Sequence, residues 1–135
     1  MTLQVTKWLA RLKTKSDFLV LPFDARFNGD NWKNRMKLSR VGGAANWEVF
    51  VDFAAPMDPN DPSYPHFARL EDTGDFALLT FNNKYSTRAG IQYGFPGSQG
   101  PIPTSVGKRD VRITLLNASQ QPLLSQSGSY LIDPG

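Results

Sequence analysis

The chain has 135 residues, 40% hydrophobic and 20% charged, which fits one domain around one apolar core and excludes a disordered polar chain. There is no Cys, so disulfides, zinc–thiolate sites and Cys nucleophiles are excluded. The formal net charge of +3 is mild, and no apolar run approaches the roughly 20 residues of a membrane-spanning helix.

The first 16 residues are set apart as an N-terminal extension, leaving residues 17–135 as the domain. Lys7, Arg11, Lys13 and Lys15 crowd this extension, and Trp8, Leu9 and Leu12 have helix-like spacing over a stretch too short to decide. It is expected to pack Trp8 onto the domain. It shows no apolar stretch followed by a small-residue cleavage site, so no signal peptide is visible.

From Asp17 onward the pattern is that of strands. Phe18-Leu19-Val20-Leu21 is a short apolar run, and Met36 and Leu38 alternate with Arg35, Lys37 and Ser39. The cleanest alternation is Trp47-Glu48-Val49-Phe50-Val51-Asp52-Phe53, with Trp47, Val49, Val51 and Phe53 on one face. A period of two puts that face on a core and the other toward water. The proline-rich stretch from Pro56 to Pro65 reads as loop. Phe67 to Leu70 and Asp75 to Phe81 read as strands joined around Asp72-Thr73-Gly74. Further strands are expected over Ala89 to Phe95, around Val111, Ile113 and Leu115, and over Tyr130 to Ile132, with Pro96 to Gly107 as loop. Many short strands punctuated by 11 Gly and 10 Pro predict an all-β, antiparallel β-sandwich.

Catalytic signals are sparse. The single His, His66, sits in the proline-rich loop and has no second His for a metal motif. Glu71, Asp72 and Asp75 cluster at a predicted turn, where carboxylates normally form turns and solubilise rather than face each other across a cleft. Asp58-Pro59-Asn60-Asp61 offers oxygen atoms but lacks the alternation and central Gly of a helical calcium loop. No enzyme activity, metal or cofactor is expected. The two basic stretches, Lys7 to Lys15 and Lys33 to Arg40, fit solvated faces better than a nucleic-acid site, so neither nucleic acid nor a membrane is expected as partner. Phe23, Trp32, Tyr64, Phe67 and Tyr85, by contrast, fall in loop-dominated stretches. Exposed in a row, rings there would form a flat apolar platform for the C–H faces of sugars.

Several segments share their order with one family. Phe23-Asp24-Ala25-Arg26-Phe27-Asn28-Gly29, the Trp47 strand, Thr73-Gly74 through Phe81-Asn82-Asn83-Lys84-Tyr85, and Ala89-Gly90-Ile91-Gln92-Tyr93-Gly94-Phe95-Pro96-Gly97-Ser98 together resemble the family 2 carbohydrate-binding modules. The match covers residues 17–116. It implies an immunoglobulin-like sandwich, a secreted setting, and a non-catalytic module for a cellulose- or chitin-like β-glycan. Carried over by position, its aromatic platform falls on Phe23, Phe67 (or neighbouring Tyr64) and Tyr85. Asn28, Asn82, Asn83 and Gln92 would then offer hydrogen bonds to sugar hydroxyls, and Trp47 would be a core residue. Phe and Tyr replace the Trp usual at the platform, which also fits a soluble glycan. The alternative is a structural or matrix protein on the same sandwich, with a protein partner or self-association in place of sugar binding.

Overall fold

The computed structural model describes residues 3, 5–13, 18–21, 34–40, 46–90 and 105–134. The alternation around Trp47 becomes strand β4 (Asn46–Met57), in which Trp47, Val49, Val51 and Phe53 are all buried. β4 is an inner strand of a four-stranded sheet with β1 (Val5–Lys13), β2 (Phe18–Leu21) and β7 (Ser86–Gly90), in the order β2-β1-β4-β7. The remaining strands are β3 (Arg35–Lys37), β5 (Phe67–Asp72), β6 (Asp75–Thr80), β8 (Gly107–Leu116) and β9 (Pro122–Asp133). They form a five-stranded sheet in the order β3-β9-β8-β5-β6. The ladders are antiparallel except for β3, which runs parallel to β9.

Both sheets turn one face onto a shared apolar core. Trp47 from β4 meets Tyr130 from β9 edge-on, with ring centroids 5.9 Å apart. The described residues are therefore an all-β fold of two sheets in the manner of a sandwich. Residues 91–104, which include most of the expected strand ending at Phe95, lie outside the described residues.

Two interior strands differ from the sequence expectation, one not expected as a strand and one expected only over Tyr130 to Ile132. Val5–Lys13, read as part of an extension, pairs with β4 from Trp8↔Val51 to Leu12↔Trp47 and with β2 on its other side. Its inward residues are Trp8, Ala10 and Leu12, a period of two that the small Ala10 concealed, while Leu9 lies on the opposite face. Pro122–Asp133, beyond the reach of the family pattern, lies between β8 and β3 and buries Tyr130 and Ile132. Strand β4 also runs further than expected, through Pro56 to Met57. Its ladder to β1 ends at Phe53, so the missing proline N–H costs no bond to that strand.

The β5–β6 hairpin closes on the Asp72↔Asp75 pair through Thr73 and Gly74, both at positive φ (46° and 90°). That is the signature of a type I′ turn, whose twist matches its flanking strands. Thr is β-branched and disfavours this region. Here its N–H donates to the Asp110 carbonyl (2.8 Å), and its hydroxyl accepts from the Asp110 N–H (2.9 Å).

Beside this turn a charged group enters the core. Asp72 is fully buried and accepts from Arg109 Nε at 2.8 Å and from the Tyr130 hydroxyl at 2.8 Å. Arg109 Nη2 also donates to the Asp72 carbonyl at 3.2 Å. Burial, reinforced by the Asp72 charge, pushes the Tyr130 hydroxyl well above its ordinary pKa. Removing one partner strands a buried charge, so Asp72→Ala is expected to lower unfolding free energy by about 3–5 kcal/mol. Tyr130→Phe should cost about 1–3 kcal/mol, both read from urea unfolding. Because the folded-state Tyr130 pKa lies above the unfolded value of 10.0, its contribution is complete below pH 10 and declines as pH rises further. Stability should thus fall above pH 10, with a shallower slope in Tyr130→Phe.

Candidate functional site

Asn82, Asn83 and Tyr85 lie on the β6–β7 connection and are exposed, Tyr85 by 69%. Tyr64 holds that connection from below. Its hydroxyl lies 3.2 Å from the Asn82 carbonyl and 3.3 Å from the Lys84 carbonyl as donor, and accepts from the Lys84 N–H at 3.3 Å. Burial pushes its pKa up. The Tyr64 ring is fully buried and tilts against Phe53, so it offers no face to a ligand: its place is in the core, beneath the proposed platform. Phe67 is half-buried at the start of β5, paired with Thr80 at the end of β6, from which the connection carrying Tyr85 departs. Phe23, Asn28 and Gln92 lie outside the described residues.

The loop from Asp58 to His66 is built by its own carboxylates. Asp58 accepts the Asn60 N–H at 2.9 Å. Asp61 accepts the N–H and hydroxyl of Ser63 (2.9 and 2.8 Å), which hold its carboxyl below the usual range. His66 places Nε2 3.1 Å from the Pro59 carbonyl and packs edge-on to Tyr64. Among the described residues, no three acidic, His or Cys side chains gather in a way that would hold a metal ion.

A more developed surface lies on the outer face of the five-stranded sheet. Alternation along β5 turns Ala68, Leu70 and Asp72 inward and Phe67, Arg69 and Glu71 outward. Strand register then aligns two rows across the sheet, Leu78–Arg69–Thr114–Ser125 and Phe76–Glu71–Arg112–Ser127. At the usual strand spacing each row spans about 14 Å. All of these residues but Ser127 line a groove of about 650 Å³. One end is apolar, with Phe76 65% exposed and Leu78 39% exposed. The other end is the β8–β9 turn, where Asn117 Oδ1 accepts the Ser119 and Gln121 N–H groups and so fixes Gln120 and Pro122 at the groove's edge.

The polar groups between these ends are ordered. Glu71 is shared by Arg69 (3.3 Å) and Arg112 (3.4 Å), and the Arg69 guanidinium lies 5.4 Å from the Phe76 ring centroid. The Thr114 and Ser125 hydroxyls are hydrogen-bonded at 3.0 Å. An apolar ring beside guanidinium, carboxylate, amide and hydroxyl groups suits a ligand with both C–H faces and many hydroxyls.

On the outer face of the four-stranded sheet, the surroundings of Phe50 are occupied by the sheet's own contacts. Arg88 pairs with Asp52 through two bonds (2.6 and 3.1 Å), and that bond draws the Asp52 carboxyl below its ordinary pKa. The guanidinium groups of Arg88 and Arg11 both lie over the Phe50 ring, at 5.3 and 5.5 Å. A Cβ on Gly90 would meet that ring at 2.5 Å, so any side chain here would have to displace the Phe50 ring.

Sequence reasoning passed over the groove because Phe76-Ala77-Leu78-Leu79 is apolar at every position, leaving no alternation to say which residues face out. The Tyr64 tether gives a direct check. Tyr64→Phe should raise the exchange rate of the Lys84 amide about fivefold in native-state hydrogen exchange, the equivalent of one ordinary hydrogen bond of ~1 kcal/mol. Comparison with protein-family models and with curated proteins finds no match to the chain.

Proposed function

We propose that this domain is a non-catalytic polysaccharide-binding module whose glycan lies across the outer face of the five-stranded sheet. The carrying observation is the exposed Phe76 ring beside the ordered row of Arg69, Glu71, Arg112, Thr114 and Ser125. The ring stacks on a sugar face, and the row bonds to hydroxyls; stacking contributes about 0.5–1.5 kcal/mol if aromatic pairs are a fair guide. Phe67 extends the apolar part of this face, since it pairs with Leu116 of the groove. Asn82, Asn83 and Tyr85 supply a second contact on the tethered connection. The resemblance to family 2 carbohydrate-binding modules supports the reading and carries with it an immunoglobulin-like type of sandwich and an extracellular setting.

The test is affinity electrophoresis and pull-down over a panel of neutral and acidic polysaccharides, including cellulose and chitin. Wild type should be retained, and Phe76→Ala should weaken retention about three- to tenfold, in line with the stacking energy above. Tyr85→Ala and Phe23→Ala probe the contacts implied by the resemblance. Retention by no member of the panel, or retention unchanged by Phe76→Ala, removes the assignment.

One observation favours the alternative of a protein partner. β6 is an edge strand among the described residues, and its outward residues Phe76 and Leu78 are the exposed apolar ones. Apolar edge strands promote pairing between chains. That reading expects concentration-dependent dimers in sedimentation, abolished by Leu78→Lys, together with no glycan retention.

A further inference from the structure

We propose that the polymer bound on the outer face of the five-stranded sheet is acidic, a polyuronate whose carboxylates are read by Arg112 and Arg69; the inference rests on the polysaccharide-binding reading above. Among the described residues, the charges on this face do not cancel. Lys108 pairs with Asp110 at 3.6 Å, whereas Glu71 alone serves both Arg69 and Arg112. Two guanidinium groups against one carboxylate leave one positive charge over, in the middle of the groove.

The geometry of the sharing matters as much as the count. Arg112 reaches Glu71 only through Nη2, at 3.4 Å from both carboxylate oxygens. That is long for a charge-assisted bond, which is ordinarily about 2.7–2.9 Å. On the opposite face Arg88 engages Asp52 through Nε at 2.6 Å and Nη2 at 3.1 Å, a fork-on-fork pair with little left to give. The Arg112 side chain is more than half exposed, and its planar fork matches a carboxylate. A ligand carboxylate at Arg112 would strengthen a contact that Glu71 makes only at full stretch.

The surroundings favour a sugar acid over a nucleic acid. The Thr114 and Ser125 hydroxyls and the Gln120 amide beside Arg112 suit a hydroxyl-rich ligand. Single-stranded nucleic acid is bound on successive aromatic platforms along a strongly positive track. Here, among the described residues, the groove is lined by a single ring, Phe76, and the surplus is one charge.

The experiment uses the whole chain in affinity gels containing polygalacturonate, the same polymer with its carboxyls methyl-esterified, or a single-stranded oligonucleotide, at low and high salt. The expected result is retardation by polygalacturonate that weakens with salt, and at least tenfold weaker binding to the esterified polymer. Arg112→Gln should lower affinity for the acid polymer about tenfold without moving the thermal unfolding midpoint, and Arg69→Gln should do so less. Equal binding to both polymers overturns the acidic assignment while the polysaccharide reading stands. No binding to any polysaccharide overturns both. Tighter binding of the oligonucleotide, or acid-polymer binding untouched by Arg112→Gln, also overturns the assignment.

Discussion

The buried Asp72 carboxylate is the constraint around which the five-stranded sheet is arranged. It ends β5, opens the Thr73-Gly74 turn, and accepts bonds from β8 and β9 at once. Such a group adds little net stability over a well-packed apolar cluster. Its effect is on register. A slip of one residue in β5 would carry Asp72 to the outer face and leave Arg109 buried without its carboxylate. The same slip would turn Arg69 and Glu71 inward. The inner triad and the outer groove are therefore two sides of one choice of register.

The two outer faces differ in what they leave available. On the four-stranded sheet, Asp52 and Arg88 form a short two-bond pair, and two guanidinium groups cover Phe50. On the five-stranded sheet, the contacts to Glu71 are long, and Phe76 keeps most of its surface in water. Exposed apolar area beside spare polar capacity is what a binding surface needs before its ligand arrives.

The sequence was informative wherever polar and apolar residues alternate. Trp47 to Phe53 declared both strand and inward face, and Thr73-Gly74 declared the hairpin. Where the alternation involves small or uniformly apolar residues, it does not show. Ala10 hid the period of β1, and Leu78-Leu79 hid the outward side of β6. Tyr64 misled for a different reason: a proline-rich loop suggests exposure, yet this ring is needed inside to hold the Asn82–Lys84 backbone. The groove could not be read along the chain, because Arg69, Arg112, Thr114 and Ser125 meet only through cross-strand register.

The late position of β9 in the chain has a kinetic consequence. β9 separates β3 from β8, so the five-stranded sheet cannot close until residues near 130 find partners near 35 and 72. These contacts span long loops whose closure entropy is spent before any of them stabilises the chain. Local hairpins such as β5–β6 can form early, but their buried carboxylate then waits for Arg109 and Tyr130. Folding should accordingly run on the millisecond-to-second scale of non-local β proteins, with the docking of the β8–β9 hairpin onto β3 and β5 as the step that commits the chain.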